Sequence, residues 1–542
     1  MRLFLLPLIL GCMASYAQDT ITMKDVHQST KLIDAEYSDK EIEMMLPGLK
    51  ENLAAFRKMH GLSLNNNVVM SLKQVAGLRA QKINKKEAIH KYDKKIRVPK
   101  NKSELAFYSI HQLGSLLRNK SITSVDLTKF FIDRLKKYGD TLECVISLTE
   151  TIAMQQAQMA DDELAIGIDR GPLHGIPYGL KDLFAVKETI TSWGAAPYKN
   201  QIIEEDAAVY TTLKEAGAVL IAKLTLGALA MGDNWYGGQT KNPWDLTTGS
   251  SGSSAGSTAA TVAGLVPFAI GTETYGSIMS PSHTCGATGL RPTFGSIDGA
   301  GAMTLSWSLD KIGPIARSAE DAGTIFDCIQ TNQNDGVAKQ KKISHSNEKK
   351  KTLRIGYAKN YFDGLDSTAE EWSVLKALRD QGLEIKPMHF PDTEAYRFDM
   401  IGIILGAEAA AAFDEFTRTG LDDQMTEQTK YDWPNFFRTS RTIPAVEYIN
   451  ANRHRSILMS RMNDFMKDVD VLITPTFAGM QMAITNLTGH PALCLPIGKN
   501  KKGELNSITF LGNLFQEEDL IQLGKLFQEK TTFDNEHPSM FK

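Results

Sequence analysis

Cysteine is scarce in this chain, with five in 542 residues at positions 12, 144, 285, 328 and 494. So few, so widely spaced, cannot build a disulfide scaffold, and export would permit pairing without the spacing naming partners. There is no CxxC pair and no histidine cluster; His174 and His490 stand alone, so neither a metal nor another cofactor is expected. An excess of charge is missing too. Sixty Lys and Arg against 63 Asp and Glu leave a net charge of −3, which gives nucleic acid no electrostatic footprint. The lysine-rich stretches at 81–102 and 339–351 therefore read as solvated surface or linker. No apolar run after the N-terminus is long enough for a membrane: the best, IGIILGAEAAAAF, is interrupted by Glu408. Internal repeats are absent, and no Gly-Lys-Ser/Thr follows the glycine-rich stretch, which excludes a P-loop.

What is present begins with a leader. Arg2, the apolar run LFLLPLIL and the exit Ser15-Tyr16-Ala17 predict a signal peptide over 1–17, and hence an exported, periplasmic or secreted protein. Ile9-Leu10-Gly11-Cys12 offers a second reading as a lipoprotein box. Helical periodicity marks 38–59, 123–138 and 151–165, predicting an N-terminal helical layer whose first segment occupies 18–100. Apolar β-prone runs at 216–224, 265–272, 469–476 and 490–498 alternate with helical stretches. That pattern predicts an α/β fold over 101–542. Residues 331–352 are polar and read as a linker or surface loop; 353–465 carry no usable motif and are expected to supply much of the substrate wall.

Two stretches carry chemistry. GPLHGIPYGLKDLF, from Gly171 to Phe184, sets Lys181 among apolar neighbours, where desolvation would keep an amine neutral enough to act as a base. From Asn242 to Gly295, serines and glycines surround two short apolar runs; Gly249 to Gly264 suits a tightly packed helix whose first turn presents Ser253 and Ser254. Serine is a weak nucleophile at neutral pH and needs such a base.

The order Lys181, Ser253-Ser254, Ser277, together with NPW at 242–244, TGLRPTFG at 288–295, SLDKIGPIARSAED at 308–321 and NLTGHPALCLPIG at 486–498, resembles the amidase signature family. The resemblance implies a Ser–cis-Ser–Lys triad: Ser277 the nucleophile, Ser253 the relay behind a cis bond from Gly252, Lys181 the base, and Ser254 in support. It also implies the fold, a large mixed sheet core sandwiched by helices, and an oxyanion site made by the backbone N–H groups of Thr274, Tyr275, Gly276 and Ser277. Arg291 and Asp310 are expected to be structural partners. Five positions depart from the common pattern: Ser251, Ala255, Glu273, Tyr275 and Met279, with Tyr275 expected to point into the acyl pocket or against its wall.

The activity implied is hydrolysis of a small-molecule amide or peptide amide to the acid plus ammonia or amine, by a stand-alone enzyme resembling peptide amidases. An esterase-like hydrolase and a silent binding protein on the same scaffold are the alternatives. The family also holds the glutamine-hydrolysing component that serves aminoacyl-tRNA. Because of the leader, no tRNA-amidotransferase partner is expected; a homodimer stays open.

Overall fold

A computed structural model describes residues 21–31, 35–62, 80–81, 92–333, 352–392 and 399–542. The predicted leader, its Cys12 alternative and most of the polar segment 331–352 lie outside the described residues.

Strands form where apolar residues run without interruption, because a strand covered on both faces needs no polar alternation. Val219–Leu224 and Lys311–Ala316 are buried at every position. Eleven strands make one sheet among the described residues: β1 Val145–Leu148, β2 Pro177–Lys181, β3 Val219–Leu224, β4 Ala269–Glu273, β5 Thr288–Arg291, β6 Lys311–Ala316, β7 Ile355–Ala358, β8 Ile385–Met388, β9 Val471–Pro475, β10 Ala492–Lys499 and β11 Leu505–Gly512. Their order is β8-β7-β9-β11-β10-β5-β6-β4-β2-β3-β1. Pairing is parallel for β7 with β8 and β9, and for β2 with β3 and β4; the other pairs are antiparallel. The fold is mixed α/β, a large central sheet flanked by helices.

The predicted helices form as Asp39–His60, Ser124–Leu142 and Glu150–Ala165, but they do not make one layer. Ser124–Leu142, capped by the Thr123 hydroxyl at Asp126 N, packs with Glu150–Ala165 beside β3. Asp39–His60 instead docks on the helix Trp433–Ser440: Asn435 Nδ2 donates to the Met44 carbonyl at 3.2 Å, and Arg438 pairs with Glu41 at 2.9 Å. Amphipathic periodicity fixes which face is buried, not what covers it. At the edge of the polar segment, Asn332–Gln333 pairs antiparallel with Ala80–Gln81.

Candidate active site

Lys181 is the last residue of β2, and its neighbours β3 and β4 bury it completely. Its Nζ lies 2.8 Å from Ser253 Oγ, 2.8 Å from Thr272 Oγ1 and 3.2 Å from Ser254 Oγ. Burial drives its ammonium down, the charges of Asp310 and Glu273 pull it partly back, and it titrates at about 7 instead of 10.5. An amine that is neutral near pH 7 and touches a hydroxyl can take that hydroxyl's proton. Asp182, next in sequence, turns away to the fully buried Lys223 at 2.8 Å.

The peptide bond from Gly252 to Ser253 is cis. The helix that follows is shorter than the sequence suggests: it runs Ala255–Val262, with Ser254 at the N-cap and Ser253 outside it. Ser254 makes no side-chain cap because its hydroxyl is committed elsewhere, donating to the Thr272 carbonyl at 3.1 Å and accepting from Thr272 N at 3.1 Å.

Ser277 sits beside this pair. Ser254 N donates to the Ser277 carbonyl at 3.1 Å, while the Ser277 hydroxyl makes none of the hydrogen bonds found among the described residues. The two serine segments are therefore joined through main chain. The turn from Thr274 to Ser277 leaves β4 and enters the helix Met279–Cys285. The N–H groups of Tyr275, Gly276 and Ser277 meet no protein acceptor among the described residues, so they are free to bind an oxyanion. Gly276 has a φ of +91°, and a Cβ there would come within 2.8 Å of Met482 Sδ.

Two carboxylates, Glu273 buried and Asp310 partly buried, brace the turn. Glu273 Oε2 accepts from Ile278 N and Met279 N, both at 2.9 Å, while Oε1 accepts from Arg291 Nη1 at 2.8 Å and Asn486 Nδ2 at 2.9 Å. Burial alone would raise its carboxyl, but the Arg291 guanidinium, the Lys311 charge and the Met279 N–H hold it at about 2. Met279 is buried in an apolar cluster with Ile278 and Ile484. Asp310 Oδ1 accepts from Thr274 Oγ1 at 2.6 Å; its Oδ2 accepts from Leu305 N and Ser306 N. Burial raises the Asp310 carboxyl.

Tyr275 stands at the surface. It is 46% exposed and absent from the lining of the adjoining cavity, because the turn commits Thr274 inward to Asp310 and leaves its neighbour facing out. That cavity, of about 300 Å³, reaches Thr272, Thr274 and Asp310 on one side and Trp307 on the other. Neither Ser253 nor Ser277 lines it, which makes it a side chamber of the serine cluster. Sequence reasoning misses Thr272 and Glu273 as partners of the site; their signal is strand alternation, which sends neighbouring residues of GTET to opposite faces.

The sequence profile of the amidase family matches residues 126–485. The chain belongs to the amidase family. A glutamyl-tRNA(Gln) amidotransferase subunit of Coxiella burnetii is 32% identical over 483 residues, covering 80% of this chain and 99% of that protein. The equivalent protein from a Marinomonas strain is 30% identical over 484 residues, again covering 80% and 99%. Among solved structures, the peptide amidase of Stenotrophomonas maltophilia superposes with a TM-score of 0.68 at 25% identity, covering 79% of this chain and 98% of its own. A 6-aminohexanoate cyclic dimer hydrolase shares the fold, with a TM-score of 0.70 at 20% identity over 81% of this chain and all of its own. The expectation of no amidotransferase partner does not stand, since these curated amidase relatives are themselves components of amidotransferases, matched over nearly their whole length.

Proposed function

We propose that this amidase hydrolyses a carboxamide or peptide amide to the acid and ammonia or amine through an acyl-serine intermediate. Lys181 is the base, Ser253 relays the proton, and Ser277 attacks the carbonyl carbon. The oxyanion is held by the N–H groups between Thr274 and Ser277, with Gly252 and Ser254 in support. Lys181 then returns the proton through Ser253 to the departing nitrogen, and water repeats the route in reverse on the acyl-serine. The observation that carries this reading is the fully buried Lys181 ammonium, titrating at about 7, at 2.8 Å from Ser253 Oγ. The predicted leader over 1–17 adds export to the proposal, and N-terminal sequencing of the mature protein tests that part.

A second reading has an observation of its own. Identity of 32% over 80% of the chain to a component of an amidotransferase favours amide hydrolysis coupled to a partner that uses the released ammonia. One experiment separates the cases: the purified full chain is treated with a fluorophosphonate, peptide-mapped, and assayed alone on primary amides, peptide amides, glutamine and esters. Labelling at Ser277 with turnover of amides above esters is expected. Labelling without turnover by the chain alone would favour the coupled reading, and no label on Ser277 would sink the acyl-serine mechanism.

A further inference from the structure

One buried carboxylate carries the region 353–465 to the site. Glu408 lies on the helix Met400–Ala412, 5% exposed, and both its oxygens are spent mainly on the loop that precedes β6. Oε2 accepts from Ser306 Oγ at 2.6 Å and Ser308 N at 2.9 Å; Oε1 accepts from Ser308 Oγ at 2.7 Å and Tyr448 Oη at 2.8 Å. Arg455, from the helix Ala445–Met466, grips the same loop, donating to Ser308 Oγ at 2.9 Å and to the Ser308 carbonyl at 2.8 Å. Between the two serines stands Trp307, 53% exposed and part of the wall of the side chamber. Two residues after Ser308 comes Asp310, which ties Leu305 N and Ser306 N to the Thr274 hydroxyl at the start of the turn. A shift of this loop therefore moves the chamber wall and the turn together.

A buried carboxylate costs desolvation, but an apolar side chain in its place would leave Ser308 N, the Ser306 and Ser308 hydroxyls and Tyr448 Oη without this acceptor. What the carboxylate adds is direction: four short hydrogen bonds admit one loop position, where apolar contact would admit several. We propose that Glu408 is a positioning residue that fixes Trp307 and Thr274 relative to each other, and that the chamber so defined takes the apolar substituent of the amide substrate. Leu183, Phe294, Ile297 and Met303 form apolar parts of a wall that also carries Asp298, Asp310 and Lys311, so the substituent is assigned as an aliphatic or aromatic group lying against the apolar parts. The substrate half of this proposal rests on the amide-hydrolysis reading; the positioning half does not.

The test uses the full chain with Glu408→Ala, Glu408→Gln and Trp307→Ala. Hydrogen exchange reads position without reference to activity. In Glu408→Ala, peptides covering 305–310 and 278–282, whose N–H groups are hydrogen-bonded, are expected to lose protection by about tenfold while 219–224 is unchanged. Steady-state kinetics on acetamide, butyramide, hexanamide and phenylacetamide reads selection. Both Glu408→Ala and Trp307→Ala should raise KM for the larger amides by about tenfold relative to acetamide, and Glu408→Gln, which keeps one acceptor oxygen, should recover part of it. Unchanged protection at 278–282, or a loss spread evenly over the whole chain, would overturn the positioning role. A KM that shifts equally for all four amides in Trp307→Ala, whose exposed side chain the fold does not need, would overturn the chamber assignment. If the parent protein turns over none of the amides, the amide-hydrolysis reading fails, and the exchange result alone decides the positioning role.

Discussion

Lys181 owes its chemistry to position. An ammonium on a surface strand would stay charged well above neutrality, but at the end of β2 it is enclosed, with three hydroxyls as its polar company. If its neutral form is the base, kcat/KM on a non-ionising amide should fall by about tenfold per pH unit below an inflection at about 7. Burial pushes Lys311 down to about 7 as well, so the assignment needs Lys311→Met: a limb that survives in that variant belongs to Lys181, and one that vanishes does not. Gly252 sets a second test at this scale. A Cβ there would stand 1.8 Å from the Gly232 carbonyl oxygen, a main-chain atom with no rotamer to move. Gly252→Ala must therefore push the segment that carries Ser253 away from Gly232. A fall of about a hundredfold in kcat, read with the rate of fluorophosphonate labelling, is the expected result; unaltered kcat would mean that the close approach is not needed for turnover.

Among elements, the junction from β4 to the helix Met279–Cys285 is held by Glu273 more than by its own hydrogen bonds. Glu273→Ala strands the Arg291 guanidinium, 1% exposed, and frees Ile278 N and Met279 N. Removing one partner of a buried pair costs about 3–5 kcal/mol. The pH dependence has a definite sign. The Glu273 carboxyl is lower in the folded chain, at about 2, than its ordinary 4.5, so its contribution is complete above 4.5 and is lost as pH falls toward 2. The stability gap between parent and Glu273→Ala, measured by urea unfolding, should be constant above pH 4.5 and shrink below it; a gap that widens with acid would contradict the brace. This junction also marks how far elements are legible from sequence. β3, β4, β9 and β10 are visible because apolar runs buried on both faces look alike in any context. The start of Ala255–Val262 is not: serine and glycine can open a helix or precede one, and only the hydroxyl's partner Thr272, 18 residues on, decides for Ser254. The direction of Tyr275 is illegible for the same reason, since it follows from the distant Asp310 holding Thr274.

At the scale of the whole molecule, Lys181, Ser253 and Ser277 can be picked out by order along the chain, whereas the way distant regions support them cannot. The segment Asp39–His60 has a buried face in its sequence pattern, but nothing there says that the face belongs to Trp433–Ser440. Arg438 makes that joint. Its guanidinium, 3% exposed on the side chain, meets Glu41 at 2.9 Å, Asp422 at 2.7 Å and Asp423 at 3.1 Å, so it links the N-terminal helix to the 421–424 turn. Asp422 is as buried as its partner, and burial has already raised its carboxyl to about 6. Arg438→Ala leaves that carboxyl without its cation and removes the ionic tie to Glu41, while the eleven-stranded sheet keeps every pairing. The two parts should therefore respond unequally. Limited trypsin digestion is expected to cut at Lys50, Arg57 or Lys58 at least about tenfold faster in Arg438→Ala, with 124–329 surviving as in the parent. Accelerated cutting in both regions at once would mean that the N-terminal helix and the sheet unfold as a single cooperative unit, and that Arg438 holds up the whole molecule instead of one joint.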